Sequence, residues 1–301
     1  MWLDLQIFGF RALWSPFFLT SIIIIGILYY LITVVYRKKF GNVTRPTILQ
    51  MIYFYIGLIL LYIVKGAPVD LLSHIMLSAH MVQMVILYLV IPIFFIRGLP
   101  NWLIEKFIEL PVIKPLFSLF TQPIIALALF NFFFAIYHLP AIFDFSKSSQ
   151  LAHVSITTIL FVLALFMWWP IVTPIKKYNR LNPLLKMIYL VASIFIVSIA
   201  CALIIFAKVP LFDAYSAEGA WIQSLSLCVP IDVLNGISGH LSGAEFFSPL
   251  STLEDQQLGG ILMMFLQQFI YGIVIARIFF GWFSDKNMTV DPLPTADDRN
   301  N

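Results

Sequence analysis

The stretch DLLSHIMLSAHMVQMVILYLVIPIFFI, residues 70–96, decides the fold. Its second half is an apolar run, and its first half places His74, Met76, His80, Met81, Gln83 and Met84 in the same membrane-length segment. Residues four apart share a helix face, so Met76, His80 and Met84 should form a stripe with Gln83 beside it. Thioethers and imidazoles on one stripe can ligate a soft metal. The plainer use is gap filling by methionine and a histidine hydrogen-bonded to a neighbouring helix.

Working outward, the chain is 61% hydrophobic and 11% charged, with a mean hydropathy of +0.95. A soluble domain has no use for that balance, so an all-α, polytopic membrane protein is expected. Apolar runs long enough to cross a bilayer occur at residues 16–36, 47–64, 71–96, 122–139, 151–172, 185–207 and 257–282, which makes seven spans. Arg37, Lys38, Lys39 and Arg45 follow the first, Arg97, Lys106 and Lys114 the third, and Lys176, Lys177, Arg180 and Lys186 the fifth. The alternate loops hold only Lys65, Lys147 and Lys208. The positive side is cytoplasmic, so the amino terminus is expected outside and the carboxyl terminus inside. The first span is longer than a signal-peptide core and is expected to stay uncleaved.

Residues 1–284 read as one membrane domain, with residues 211–255 folded as an outer cap and residues 285–301 as a disordered cytoplasmic tail. Trp2, Phe8, Phe10 and Trp14 should anchor the outer interface. A short surface helix is expected over residues 100–110, and a polar loop over residues 144–150. The net charge of +3 serves topology; no basic face with interleaved aromatics points to nucleic acid. Cys201 and Cys228 are too few to form a framework.

This topology puts all five histidines on the outer side: His74, His80, His138, His153 and His240. Ionisable residues inside a membrane usually mark a site. The first four, with Met76, Met81, Met84, Met263, Asp255 and Gln256, are expected to converge below the outer surface. Histidine with thioether suits Cu(I), histidine with carboxylate suits Cu(II) or zinc, and facing histidines suit haem. The residue types do not choose among these. Zinc-protease, nucleotide-binding and serine-hydrolase signatures are absent, so no enzyme of those classes is expected.

Four motifs carry a resemblance: His74-Ile-Met-Leu-Ser-Ala-His-Met-Val-Gln-Met; Tyr137-His138-Leu139-Pro140 followed by Leu151-Ala152-His153; Trp168-Trp169-Pro170; and Asp255-Gln256-Gln257-Leu258-Gly259-Gly260. Together they resemble the CtaG proteins, multi-spanning bacterial assembly factors for caa(3)-type cytochrome c oxidase. The resemblance implies a plasma-membrane factor that is needed for active oxidase, contacts its subunits and handles copper for its outward-facing centres. It maps the family histidines onto His74, His80, His138 and His153, and the acidic-amide motif onto Asp255 and Gln256; Met84 completes the expected ligand set. Met263-Met264-Phe265 stands where the family pattern calls for a tryptophan. Two other readings compete: a haem-bearing or quinone-linked electron carrier, and a transporter with Asn131, Gln267 and Gln268 along its path.

Overall fold

The computed structural model describes residues 5–41, 43–237 and 247–287, and every regular element among them is helical. In chain order the helices are α1 (Gly9–Trp14), α2 (Pro16–Tyr30), α3 (Ile48–Gly66), α4 (Pro68–Ile75), α5 (Leu77–Val85), α6 (Ile91–Gly98), α7 (Asn101–Ile108), α8 (Ile113–Phe120), α9 (Pro123–Tyr137), α10 (Pro140–Ser148), α11 (Gln150–Val172), α12 (Pro183–Ile205), α13 (Asp213–Ser216), α14 (Glu218–Leu225), α15 (Ile231–Ile237) and α16 (Thr252–Asn287). Proline opens α2, α4, α9, α10 and α12, where its missing N–H costs nothing. Thr47 and Gln50 close a reciprocal capping box at the start of α3.

Six helical segments are long and apolar enough to cross a membrane: Gln6–Val35, Ile48–Gly66, Leu77–Gly98, Gln150–Val172, Pro183–Ile205 and Thr252–Ser284. The seventh expected span is α9, whose 15 residues reach only about 22 Å at the α-helical rise. It qualifies jointly with α8, from which it bends by 80°. Pro123 makes the bend: the residue before a proline is pushed out of the helical region, and Gln122 is extended at ψ 130°.

Lipid replaces water around such a bundle, and the outer surfaces are accordingly apolar. Ile23, Ile24, Ile59, Phe195, Leu203 and Phe265 are all exposed. Several polar groups inside are bonded between helices, as hydrocarbon favours. Asn131, Ser193 and Tyr271 link α9, α12 and α16 through bonds of 3.0 and 3.1 Å at the Ser193 hydroxyl, and Gln267 Nε2 donates to the Ile194 carbonyl. Two of the three residues that a transport path would use are therefore occupied in packing.

Three local expectations change. The segment over 71–96 is not one helix: Met76 is extended, at φ −131° and ψ 138°, and separates α4 from α5. Met76 thus caps α5 instead of sharing a continuous stripe with His80 and Met84. Residues 144–150, expected as a loop, fall largely in α10. Phe8, expected at the membrane interface, is buried in an apolar cluster with Leu13, Leu71, Ile75, Trp221 and Leu225. That cluster seats α14 and α15 on the end of the bundle. The surface helix expected over residues 100–110 is present as α7. Cys201 and Cys228 are both free thiols. Trp2, His240 and residues 288–301 of the expected tail lie outside the described residues, whereas residues 285–287, also expected in the tail, continue α16.

Candidate functional site

The break at Met76 leaves the first N–H groups of α5 without partners inside the helix, and α16 supplies them. Asp255 Oδ2 accepts from Leu77 N at 2.7 Å and from Ser78 N at 3.3 Å, while Oδ1 accepts from the Ser78 hydroxyl. A carboxylate suits a helix amino terminus because the helix dipole is positive there. Gln256 accepts from Leu211 N at 2.7 Å and donates to the Ile204 carbonyl at 3.3 Å. One turn on, a Cβ on Gly259 would sit 3.2 Å from Ser78 Cα, and one on Gly260 would sit 2.7 Å from the Ile205 side chain. The Asp-Gln-x-x-Gly-Gly motif is therefore a cap and close-packing device, with both Asp255 oxygens engaged.

The histidines divide into two pairs. His74 on α4 and His153 on α11 have ring centroids 5.3 Å apart; they line a cavity of about 520 Å³ between α2, α3 and α11, with Cys228 and Thr157 in its wall. His80 on α5 and His138 after α9 both neighbour Tyr137, at centroid distances of 6.0 and 5.1 Å, and neither lines that cavity. His80 is within electrostatic reach of the other three. All four are buried.

Their hydrogen bonds fix two tautomers. His74 Nδ1 donates to the Asp70 carbonyl at 2.9 Å, and His138 Nδ1 donates to the Phe134 carbonyl at 2.8 Å. A carbonyl only accepts, so the proton is on Nδ1 and the neutral ring keeps its lone pair on Nε2. Neither Nε2 has a partner, and neither does His80 Nδ1 nor either nitrogen of His153. Such atoms are costly to bury. An imidazole whose Nδ1–H is held by a carbonyl, with Nε2 free, has the second-shell arrangement of a metal ligand. The residue types thus fit a nitrogen-binding metal, but among the described residues no three His, Cys, Asp or Glu side chains converge closely enough to hold one. The His74–His153 pair lines the cavity described above.

The methionines lie elsewhere in the packing. Met84 and Met263 are in the main apolar core, and Met76 packs against the cap cluster. These positions are what gap filling requires.

Several neighbours carried no signal in the sequence. Lys147, counted there as a loop charge, is 2% exposed, and its ammonium has no hydrogen-bond partner. It lies over the faces of Phe143 and Tyr215, at 5.8 and 5.9 Å from their centroids. Burial, reinforced by the charge of Lys65 and opposed by Asp70, pushes it down to about 7. Asp70 accepts from Lys65 and Gln83, both at 2.7 Å, and so positions the turn whose carbonyl holds His74. Tyr215 from the cap donates to the Ser73 carbonyl at 2.6 Å. Asp144 caps α13 through the N–H groups of Asp213 and Ala214. Proline and serine at the ends of residues 140–149 were the only hint that this segment folds back as a helix.

Comparison with curated proteins and with solved structures gave no match. A family model described as cytochrome c oxidase caa3 assembly factor (Caa3_CtaG) matches residues 27–285, which include α3 to α15 and nearly all of α16. The protein belongs to this family of caa3 oxidase assembly factors.

Proposed function

We propose that the protein promotes formation of caa3-type cytochrome c oxidase in the bacterial plasma membrane by holding copper at the His74–His153 pair. The family supports the assembly role. The observation that carries the copper reading is the His74 tautomer: Nδ1–H is committed to the Asp70 carbonyl, and an unpartnered Nε2 stands beside the His153 ring on a cavity wall. Two neutral imidazoles suffice for Cu(I), a closed-shell ion content with few ligands, and imidazole is among the ligands of copper. Bound there, copper would be a labile ion available to an oxidase subunit that still lacks its metal. His80 and His138 complete the buried set, and His138 is the second imidazole prepared by a carbonyl. Asp255 acts as the α5 cap, not as a ligand. The distribution of lysine and arginine favours an outward-facing histidine end.

The test is metal analysis and visible spectroscopy of detergent-purified protein, beside His74→Ala and His153→Ala, with oxidase activity measured in cells that carry each variant. Copper near one per chain, lost in both variants together with oxidase maturation, is the expected result. A haem band would replace this reading by the electron-carrier one. Oxidase that matures normally in both variants would end the shared-site reading.

A further inference from the structure

The opposite end of the bundle has a cavity of its own. About 650 Å³ in volume, it lies between α3, α6, α12 and α16, and three cations from three helices line it: Arg97, Lys186 and Arg277. No acidic residue lines it, and none of the three forms an ion pair among the described residues. Two of them feel a like charge: Arg97 that of Arg277, and Lys186 that of Arg97. Lys186 donates to the Ile171 carbonyl at 3.2 Å; among the described residues neither guanidinium meets a protein acceptor. The rest of the wall is largely apolar, and Ile273 at its rim is 55% exposed, so the cleft is reached sideways from the lipid.

A lone arginine at a helix end is explained by snorkelling, and cations on this side are explained by topology. Neither explains why three converge on one half-buried cavity without a counter-ion, since like charges brought together in a low dielectric repel strongly. A ligand with negative charge removes that cost. A guanidinium forms paired hydrogen bonds to phosphate oxygens, and the apolar wall suits an acyl chain. One phosphodiester would neutralise a single cation of three.

We infer that this cleft binds the headgroup of an anionic phospholipid carrying two phosphates, held by Arg97, Lys186 and Arg277, with an acyl chain along Ile273 of α16. Basic pockets between membrane helices are the usual form of such sites. The site is independent of the histidine cavity.

The test uses the full chain in a neutral detergent, titrated with cardiolipin, phosphatidylglycerol, phosphatidylcholine and, separately, inorganic phosphate. Native mass spectrometry and the thermal unfolding midpoint are the readouts. One cardiolipin retained per chain, with a raised midpoint, weaker binding of phosphatidylglycerol and none of phosphatidylcholine or phosphate, is expected. Arg277→Gln should weaken cardiolipin about fivefold, and Arg97→Gln with Arg277→Gln about thirtyfold; Arg277→Lys should keep most of the affinity. Lys38→Gln with Lys39→Gln removes the same charge away from the cleft and should change nothing. Equal weakening in that control, or equal binding of phosphatidylglycerol or phosphate, would overturn the proposal. If the double variant does not insert, Arg277→Gln decides, because Arg277 is exposed and makes no hydrogen bond among the described residues.

Discussion

The two ends of the bundle both gather nitrogen, and they do so in opposite ways. At one end, four imidazoles are buried, two of them held by backbone carbonyls so that a lone pair is left free. At the other, Arg97, Lys186 and Arg277 line a cleft open to lipid, rich in donors and without a carboxylate. Lone pairs without protons invite a cation, whereas ammonium and guanidinium groups invite an anion. Within one end, the same logic separates His74 from Lys147. A buried imidazole can be neutral and prepared, while a buried ammonium among imidazoles opposes any incoming cation.

The largest effect should come from crossing the two ends. His153→Ala should reduce bound copper at least tenfold and leave lipid retention intact. Arg97→Gln with Arg277→Gln should do the reverse, and elemental analysis beside native mass spectrometry reads both. Loss of both ligands in either variant would show that the ends are not separate.

Next in size is Asp255→Ala. Three buried donors lose their acceptor, a loss of about 2–4 kcal/mol, visible as a lower unfolding midpoint. The fraction that remains folded should keep its copper. A variant of unchanged stability that had lost copper would make Asp255 a ligand after all.

Gly98→Ala should cost about 1–3 kcal/mol, because the new Cβ would stand 2.6 Å from the backbone nitrogen of Phe54, which has no room to yield. The cost falls on the contact between α3 and α6, so copper per folded chain should not change. Thermal unfolding with metal analysis of the soluble fraction checks this.

The smallest effect concerns Lys147. Its folded value of about 7 lies below the 10.5 of an unperturbed lysine, so between those values the unfolded chain holds more protons and stability rises with pH. Below about 7 both states are charged and the burial penalty is fully present. Lys147→Met should therefore stabilise the protein by about 1–3 kcal/mol at neutral pH, with an advantage that shrinks toward pH 9. A constant difference across that range would mean that the lysine is not the titrating group.

Much of this was legible in the sequence, for identifiable reasons. Span type follows from run length, since lipid admits little but helices, and six of the seven expected spans are single helices long enough to cross. The histidines could be singled out because buried imidazoles are expensive wherever they occur. Asp255 was singled out as well, yet its work was not readable: a cap supplied by a helix 178 residues further along the chain leaves no local spacing. Lys147 was hidden for the opposite reason, because in sequence it is indistinguishable from any loop charge.

What the amino-acid order determined alone was the membrane, the number of apolar runs, the concentration of lysine and arginine in alternate loops, and the motifs that the family shares. Those are properties of segments, set by hydropathy and spacing along a single helix. What only the tertiary structure decided was which histidines pair, which nitrogen of each is free, that the third span breaks at Met76, and that three cations share one cleft. Those depend on distances between helices, and side chains far apart in sequence acquire such distances only when the bundle packs.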